Sequence, residues 1–265
     1  MKTLPTITST DNKYFQMFKS LNDSRGLKKE KTFLVSGAKL VTEFIHKDPL
    51  AIKAIISTES LKHFFDKDHS VYPLTAALSL ILNLKNLQHF QFSKSLFNEI
   101  DGLGTHAPLL WVDQKGIPTW DPNLHFTGLE VLCPLSDPQN LGAVIRSAWA
   151  FGASKIILFQ ESANPFLPKC WKSSAGAVWD MPIEKGPSLK DLKTHCIALD
   201  MDGENIWDFS WNKNVRLLLG EEGQGIPIHL KTSIQKIKLP MVHPIDSLNV
   251  AVTASIAMAL YNNYS

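Results

Sequence analysis

Five short, almost entirely apolar segments in the second half of the chain most constrain its fold. Helical patterns of apolar residues lie between several of these segments. Strands covered by helices on both faces of a parallel sheet are typically apolar along their whole length. The sequence therefore predicts an α/β domain with a mostly parallel sheet over residues 128–265. The predicted strands are residues 129–133, 155–159, 196–199, 215–219 and 237–240.

The first hundred residues predict a smaller α/β unit, in which apolar residues recur at strand and helix spacings. Glycine and proline are frequent over residues 101–128, as is typical of a connection between domains. We therefore expect one domain at residues 1–106, a linker at 107–127 and a second domain at 128–265. The predicted strands here are residues 32–35, 52–56 and 109–112, and the predicted helices or turns are residues 14–21, 38–46, 60–65, 76–82 and 93–100.

The composition favours a soluble globular protein. Of the 265 residues, 44% are apolar and 20% are charged, which is ordinary for this class. Cys133, Cys170 and Cys196 match neither a disulfide framework nor a zinc site, so we expect a reducing, cytoplasmic location and no bound metal. The N-terminus has no apolar signal segment and the chain has no uninterrupted run of about 18 apolar residues, so we expect no membrane insertion.

Positive charge is concentrated at the N-terminal end. The net charge of the whole chain is only +2, which is not typical of a strongly basic nucleic-acid binder. Residues 1–40, however, hold eight basic and three acidic side chains. This excess is either a binding surface for a polyanion or a solvated helix face. The candidates for phosphate contacts are Arg25, Lys28, Lys29, Lys31 and Lys39.

Two predicted strands close to the C-terminus each run into a polar loop. Residues 217–225 place three glycines and two glutamates after the first strand, and residues 239–249 follow the second. Ligands of open α/β sheets bind at the carboxyl ends of the strands. The glycine spacing matches no phosphate-binding loop, and the glutamates disfavour phosphate. The loop therefore fits a nucleoside or a cationic cofactor such as S-adenosylmethionine, unless it is only a tight acidic turn.

A scarce residue marks a third segment, residues 137–148. Arg146 is one of only three arginines in the chain, which otherwise relies on 24 lysines. It follows Asp137 and Asn140, either of which can begin a helix. An arginine in this setting suggests a need for the guanidinium group, which binds phosphate or carboxylate through two hydrogen bonds. The alternative is a buried ion pair, for which Glu222 is the candidate partner.

Together these three segments resemble the SpoU or TrmH-like branch of the SPOUT superfamily, which are RNA 2′-O-ribose methyltransferases. The motifs occur in the family's order and at its spacings. The first is matched by Asn140, Gly142 and Arg146; the second by Gly220, Glu222 and Gly225; the third by Leu239, Pro240, Met241, Ser247, Leu248, Asn249 and Val250. Residues 168–177 resemble the family's segment between the first two motifs, and residues 33–37 resemble its ribosomal-protein-L30e-like RNA-binding domain.

The resemblance implies an L30e-like domain followed by an α/β domain with a deep trefoil knot. It also implies a homodimer with the site near the subunit interface, and a substrate RNA that is ribosomal rather than transfer RNA. The knot loops would hold S-adenosylmethionine. The residues that the resemblance assigns to the cofactor are Gly220, Leu239 and Leu248, through their backbone, together with Leu219, Met241 and Asn249.

The expected catalytic residues are Asn140, Arg146, Glu222, Ser247 and Asn249. Asn140 would orient RNA or cofactor, and Glu222 would hold Asn140 or Arg146 in place. Ser247 and Asn249 would converge on the site at the start of the last helix, unless they only cap that helix. Because a guanidinium does not readily lose a proton, we expect Arg146 to grip the 3′-side phosphate while a phosphate oxygen or water takes the proton.

One departure and several rival interpretations remain. His243, followed by Pro244, stands where the family usually has glycine. This loop should therefore be stiffer than usual. The histidine has either a direct catalytic role or only a structural or exposed position. The last helix is apolar nearly all round, which predicts burial in the knot or in a dimer interface. The rival functions are transfer-RNA methylation, methylation of a base or of a protein, and RNA binding without catalysis.

Overall fold

The computed structural model describes residues 2–3, 6–58, 72–82, 84, 87–243 and 247–264. The chain forms two compact units. The first comprises Met1–Lys115 with Phe166–Lys172, and the second comprises Gly116–Pro165 with Ser173–Ser265. The predicted helix at residues 60–65 and the loop residue Pro244 lie outside the described residues.

The first unit is a five-stranded sheet with helices. The sheet order is β1-β4-β3-β5-β2, and β5 pairs antiparallel with both of its neighbours while the other pairs are parallel. Strand β5 lies within residues 107–127, where we expected a linker. The strands are β1 (Lys2–Thr3), β2 (Thr32–Val35), β3 (Ile52–Ser57), β4 (Gln88–Gln91) and β5 (Leu109–Asp113), and the helices are α1 (Lys13–Ser20), α2 (Ser24–Glu30), α3 (Ala38–Lys47), α4 (Tyr72–Ile81) and α5 (Lys94–Ile100).

The core of this unit is strongly aromatic. Phe18 lies against Phe90 and Trp111, with ring centroids 5.2 and 5.4 Å apart and edge-to-face geometry. Residues 166–172 return to this unit from the second half of the chain, and Trp171 packs against Phe33 with ring centroids 4.8 Å apart. Asp23 accepts hydrogen bonds from two backbone N–H groups at the start of α2 and thereby fixes the helix that carries most of the predicted basic residues.

The second unit is built on a six-stranded sheet in which every pair of neighbours is parallel. The order is β11-β9-β10-β6-β7-β8, which confirms the predicted parallel α/β architecture. The strands are β6 (Leu129–Cys133), β7 (Lys155–Leu158), β8 (Ile183–Lys185), β9 (Ile197–Asn205), β10 (Val215–Leu218) and β11 (Gln235–Lys238), and the helices are α6 (Pro138–Ala150), α7 (Pro168–Ser173, mostly in the first unit), α8 (Ile228–Lys231) and α9 (Val250–Tyr264).

A buried ion pair holds the two central strands together at their amino ends. Arg216 on β10 donates from Nε to Glu130 Oε2 on β6 at 2.8 Å, and both side chains are almost fully buried. The guanidinium carbon lies 4.3 Å from the ring centroid of Phe126 and 5.1 Å from that of Trp120. One of the three arginines is therefore structural, because its guanidinium group donates to Glu130 and packs against two aromatic rings.

Helix α9 packs on α6 through small residues. Ala254 and Ala257 are fully buried, and Ser255 Oγ lies 2.7 Å from Ser147 Oγ on α6. The opposite face is open, since Val252 is 48% exposed. In a single chain this helix is buried on one side only, and its predicted burial in the knot or in a dimer interface stays a prediction. Within the part of the chain that the structure describes, no helix is long and apolar enough to cross a membrane.

Candidate active site

A cavity of about 470 Å³ lies at the carboxyl ends of β10 and β11 and alongside β9. All three sequence motifs reach it. Ten different residues of this unit were predicted from the sequence for catalysis or cofactor binding. The eight that line the cavity are Asn140, Gly220, Glu222, Leu239, Met241, Ser247, Leu248 and Asn249. Leu219 and Arg146 are not part of the lining. Most of the residues predicted from the sequence therefore lie at one site, and two of them, Leu219 and Arg146, do not line it.

Glu222 is the anchor of this site. Its Oε2 accepts hydrogen bonds from the backbone N–H and the hydroxyl of Ser136, at 3.0 and 2.8 Å, and from the backbone N–H of Asp137 at 2.9 Å. Its Oε1 accepts from Asn140 Nδ2 at 2.9 Å. Burial acts to raise the pKa of this carboxyl, but the hydrogen bonds from Asn140, Asp137 and Ser136 outweigh it, and the pKa lies below the ordinary value of 4.5.

The amide of Asn140, which Glu222 orients, in turn orients the amide of Asn249 through a hydrogen bond. Asn249 Nδ2 donates to Asn140 Oδ1 at 2.9 Å, and Asn249 Oδ1 accepts from the backbone N–H of Ala251 at 2.8 Å. Asn249 therefore both caps α9 and bonds to Asn140, so the two predicted roles are combined in one side chain. We call the chain Glu222–Asn140–Asn249 the amide relay. It joins the three motifs through hydrogen bonds between side chains.

Arg146 lies two turns into α6 and is exposed. The predicted alternative, a buried ion pair with Glu222, is wrong because Glu222 is already engaged by Ser136, Asp137 and Asn140. Within the described residues, Arg146 forms no hydrogen bond or ion pair. Asp137 starts this helix by accepting from the N–H groups of Gln139 and Asn140 at 2.9 and 2.8 Å. The guanidinium is therefore available for a ligand outside the chain.

The glycine loop is closed by its own backbone. Glu221 and Gly225 exchange two backbone hydrogen bonds of 3.0 and 2.9 Å, and Gly223 and Gly225 have positive φ angles of 82° and 69°. A Cβ at Gly220 would lie 3.1 Å from the Gly225 Cα. The loop conformation therefore requires glycine. Leu219, predicted to touch the cofactor, is fully buried and donates its N–H to Leu132 at 3.0 Å.

The walls of the cavity include both apolar and acidic residues. Sequence reasoning missed three wall residues on β9, namely Leu199, Asp200 and Met201. Asp200 pairs with Lys231 at 2.9 Å. Burial acts to raise the pKa of Asp200, but the bonds from Lys231 and from the N–H of Asp202 lower it below its ordinary value. An acidic residue directly after the predicted strand 196–199 was the signal that could have found this wall.

Two residues of the third motif had alternative predicted roles. Ser247 lines the cavity and is exposed, but α9 begins three residues later, so Ser247 does not cap it. His243 is exposed and is not part of the cavity lining. Among the described residues, no group of three or more histidine, cysteine, aspartate or glutamate side chains is arranged to hold a metal ion.

The predicted RNA contacts all lie on the surface of the first unit. Three are on α2, one ends that helix with a positive φ of 53°, and one is on α3. Two of them have acidic neighbours, since Lys29 lies 3.1 Å from Glu30 and Lys39 lies 3.8 Å from Glu43. The exposed residues are Arg25, Lys28, Lys29, Lys31 and Lys39. Their contact with RNA stays a prediction.

Comparison with known sequences finds a match for most of the second unit. Residues 130–259 match the sequence profile of the SpoU rRNA Methylase family. "Ribosomal RNA small subunit methyltransferase G 2" of Syntrophobacter fumaroxidans is 35% identical over 255 residues, which are 95% of this chain and 48% of the relative. An "Uncharacterized tRNA/rRNA methyltransferase" of Mycobacterium ulcerans is 31% identical over 49% of this chain and 45% of its own length. The chain thus spans about half the length of these curated relatives.

Solved structures show the same fold over nearly the whole chain. The AdoMet-bound rRNA methyltransferase of Sinorhizobium meliloti aligns with a TM-score of 0.72 and 22% identity, covering 98% of both chains. The SpoU methyltransferase AviRb of Streptomyces viridochromogenes, in complex with AdoMet, aligns with a TM-score of 0.74 and 20% identity, covering 95% of this chain and 97% of its own. These likenesses confirm the predicted mixed α/β fold with a parallel sheet.

Proposed function

We propose that this protein, whose residues 130–259 belong to the SpoU rRNA methylase family, is an S-adenosylmethionine-dependent methyltransferase acting on the ribose 2′-hydroxyl of RNA. The observation that carries the proposal is the amide relay on the wall of the cavity. Its two asparagines are held by hydrogen bonds from fixed groups, so they offer an oriented surface to a bound substrate. Orientation of the reactants is the largest contribution that such a site can make to the rate.

The cavity suits S-adenosylmethionine. Its volume lies within the range of about 300–1,000 Å³ that small-molecule sites occupy. The apolar wall fits an adenine ring, and the acidic wall at Glu221 and Glu222 fits a positively charged ligand better than a phosphate. When bound, the cofactor supplies a methyl group attached to a positively charged sulfur. The backbone of Gly220, Leu239 and Leu248 would hold it, with Met241 at the wall.

Each residue of the site then has a distinct task. Asn140 and Asn249 orient the reactants, and Glu222 fixes Asn140 without touching substrate, which makes it a positioning residue. Arg146 grips the phosphate on the 3′ side of the target ribose with its guanidinium. Because that group does not readily lose a proton, the proton of the hydroxyl passes to a phosphate oxygen or to water. Ser247, exposed at the cavity, contributes a hydroxyl on the RNA side.

A homodimer and a trefoil knot around the cofactor loops are part of the same proposal. Large apolar side chains are exposed on two helices that pack together, Trp149 on α6 at 49% and Val252 on α9 at 48%. Exposed apolar side chains on neighbouring elements favour a protein interface. This face also carries the exposed Arg146, so a second copy would lie close to the residue that grips RNA.

We propose ribosomal RNA as the substrate. The family's description names rRNA, and the names of the relatives include both ribosomal and transfer RNA. The first unit, interpreted as an L30e-like domain, would recognise folded RNA through the basic residues on α2 and α3. An RNA substrate also fits the cytoplasmic location predicted from the sequence. Mapping ribose methylations with and without the gene should reveal one lost position in ribosomal RNA, whereas a loss in transfer RNA would replace this substrate with the alternative.

The rival interpretation is an RNA-binding protein without catalysis. The intact amide relay and the available guanidinium of Arg146 argue against it. Titration calorimetry with S-adenosylmethionine separates the two, because an enzyme must bind this cofactor and a protein that only binds RNA need not. Saturable binding is expected, and its absence would favour the rival.

A further inference from the structure

Lys238, the last residue of β11, lines the cavity and is half-buried. Among the described residues that line the cavity it is the only cation. Its backbone is fixed, because its carbonyl accepts from the N–H of Ile206 at 2.9 Å. Lys238 is therefore positioned at the cavity by a strand of the sheet.

None of the three acidic residues that line the cavity, Asp200, Glu221 and Glu222, forms an ion pair with Lys238. Asp200 is paired with Lys231 at 2.9 Å, and Glu222 is engaged by the donors of Ser136, Asp137 and Asn140. Within the described part of the chain, Lys238 forms no ion pair or side-chain hydrogen bond with any residue. A half-buried lysine that forms none of these contacts leaves a positive charge available for a ligand.

We propose that Lys238 binds the carboxylate of the amino-acid end of the cofactor. This rests on the proposed function, in which Leu239, the next residue, holds the cofactor through its backbone. The cofactor carries a single anionic group, the carboxylate of its methionine part, while its sulfur and amino group are positive. The acidic wall suits the positive groups, and only Lys238 suits the carboxylate. A charged hydrogen bond of this kind contributes about tenfold or more to affinity.

Two adenosine ligands isolate this contact. S-adenosylhomocysteine keeps the amino-acid end, whereas 5′-methylthioadenosine keeps the adenosine and the sulfur and lacks that end. In titration calorimetry, Lys238→Met should weaken S-adenosylhomocysteine about tenfold and leave 5′-methylthioadenosine within about twofold. Lys238→Arg keeps the charge and should restore most of the lost affinity. Thermal unfolding of each variant confirms that it is folded.

Lys236→Met is the matched control, because Lys236 is on the same strand, is also half-buried and lies outside the cavity lining. It should change both affinities by less than about twofold. Equal weakening of both ligands by Lys238→Met, or weakening of neither, would overturn the proposal. Unchanged S-adenosylhomocysteine binding with a raised KM for RNA would assign Lys238 to an RNA phosphate instead. If the wild-type protein bound neither ligand, the proposed function itself would fail.

Discussion

At the scale of single residues, one ionised carboxylate sets the orientation of two amides. Glu222 has no proton to donate, so Asn140 must turn its nitrogen toward it and its oxygen toward Asn249. Asn249 in turn must direct its oxygen to the N–H of Ala251. The hydrogen-bonding pattern offered to a ligand is therefore fixed before the ligand binds.

Replacing this carboxylate by an amide should uncouple the relay. In Glu222→Gln the side-chain nitrogen must face donors, either those of Ser136 and Asp137 or that of Asn140. We expect kcat to fall about 100-fold through misplaced asparagines, while the cofactor Kd changes little. Single-turnover methylation and calorimetry measure the two effects. Glu204→Gln, at an exposed glutamate on β9 outside the cavity lining, is the control and should behave like the wild type.

The acid dependence of stability provides a second check on Glu222. Its pKa in the folded protein is lower than 4.5, so the ionised carboxylate stabilises the fold above about pH 4.5 and loses this effect as the pH falls through the lowered value. The difference in unfolding free energy between the wild type and Glu222→Gln should therefore narrow in acid. A difference independent of pH would contradict the role of the charge.

Arg146→Lys keeps the positive charge and removes the planar guanidinium group, which can form two hydrogen bonds with one phosphate. Because Arg146 does not line the cavity, the cofactor Kd should be unchanged, while kcat/KM for RNA should fall about 100-fold through loss of the two-point grip. Competition assays and single-turnover rates measure these quantities. Methylation by this variant at the wild-type rate would show that the bidentate role is wrong.

At the scale of elements, a glycine loop and a helix cap build the site. The loop after β10 is closed by paired backbone hydrogen bonds between Glu221 and Gly225, and α9 is capped by Asn249 rather than by Ser247. Both features are hydrogen bonds between residues close together in the sequence. The positions of Glu222 and Asn249 therefore follow from the local backbone conformation of these two elements.

Gly220→Ala tests the close packing of that loop. The added Cβ would lie 3.1 and 3.2 Å from the Cα and carbonyl carbon of Gly225, so the loop must shift. We expect a loss of about 1–3 kcal/mol in unfolding free energy together with weaker cofactor binding, measured by urea denaturation and calorimetry. Gly116→Ala, where a Cβ meets open space, should leave both unchanged. Normal binding by Gly220→Ala would show that the loop backbone does not hold the cofactor.

Apolar periodicity predicted the helices and strands that have a clear local pattern. The other strands form because they pair with strands that are distant in the sequence. The five apolar strands of the second unit were predicted, whereas the two-residue β1, β4 and β8 were missed. Strand β4 has glutamine at both ends and β8 has only three residues, so neither has a clear pattern before its partner is known. The motifs placed Asn140, Glu222 and Asn249 at one site. Lys238 was missed because the pairing of β11 with β9, and no local pattern, brings it to that cavity.

At the scale of the whole molecule, the chain is two units with different tasks. The first unit presents exposed basic residues on α2 and α3, and the second holds the cavity. The return of residues 166–172 to the first unit was not predicted, because no local pattern marks a segment that leaves its own domain. The open face of α9 is the surface on which a second copy would pack.

Val252→Lys should break the proposed dimer. A lysine on this exposed apolar face of α9 would be buried without a partner when two copies meet, which should weaken association by at least about tenfold. Sedimentation equilibrium at micromolar concentration measures the change. Leu124→Lys, at another exposed apolar residue (64% exposed), should leave the association intact. A wild-type protein that is monomeric at this concentration would contradict the dimer.

The most direct test of the central claim is the position of the methyl group that the protein transfers. Ribosomal RNA lacking modification is incubated with the purified protein and S-adenosylmethionine carrying a deuterated methyl group, then digested to nucleosides for mass spectrometry. The proposed function predicts a single labelled nucleoside with the label on its ribose 2′-oxygen. Label on a base, or no label although the protein binds the cofactor, would contradict it.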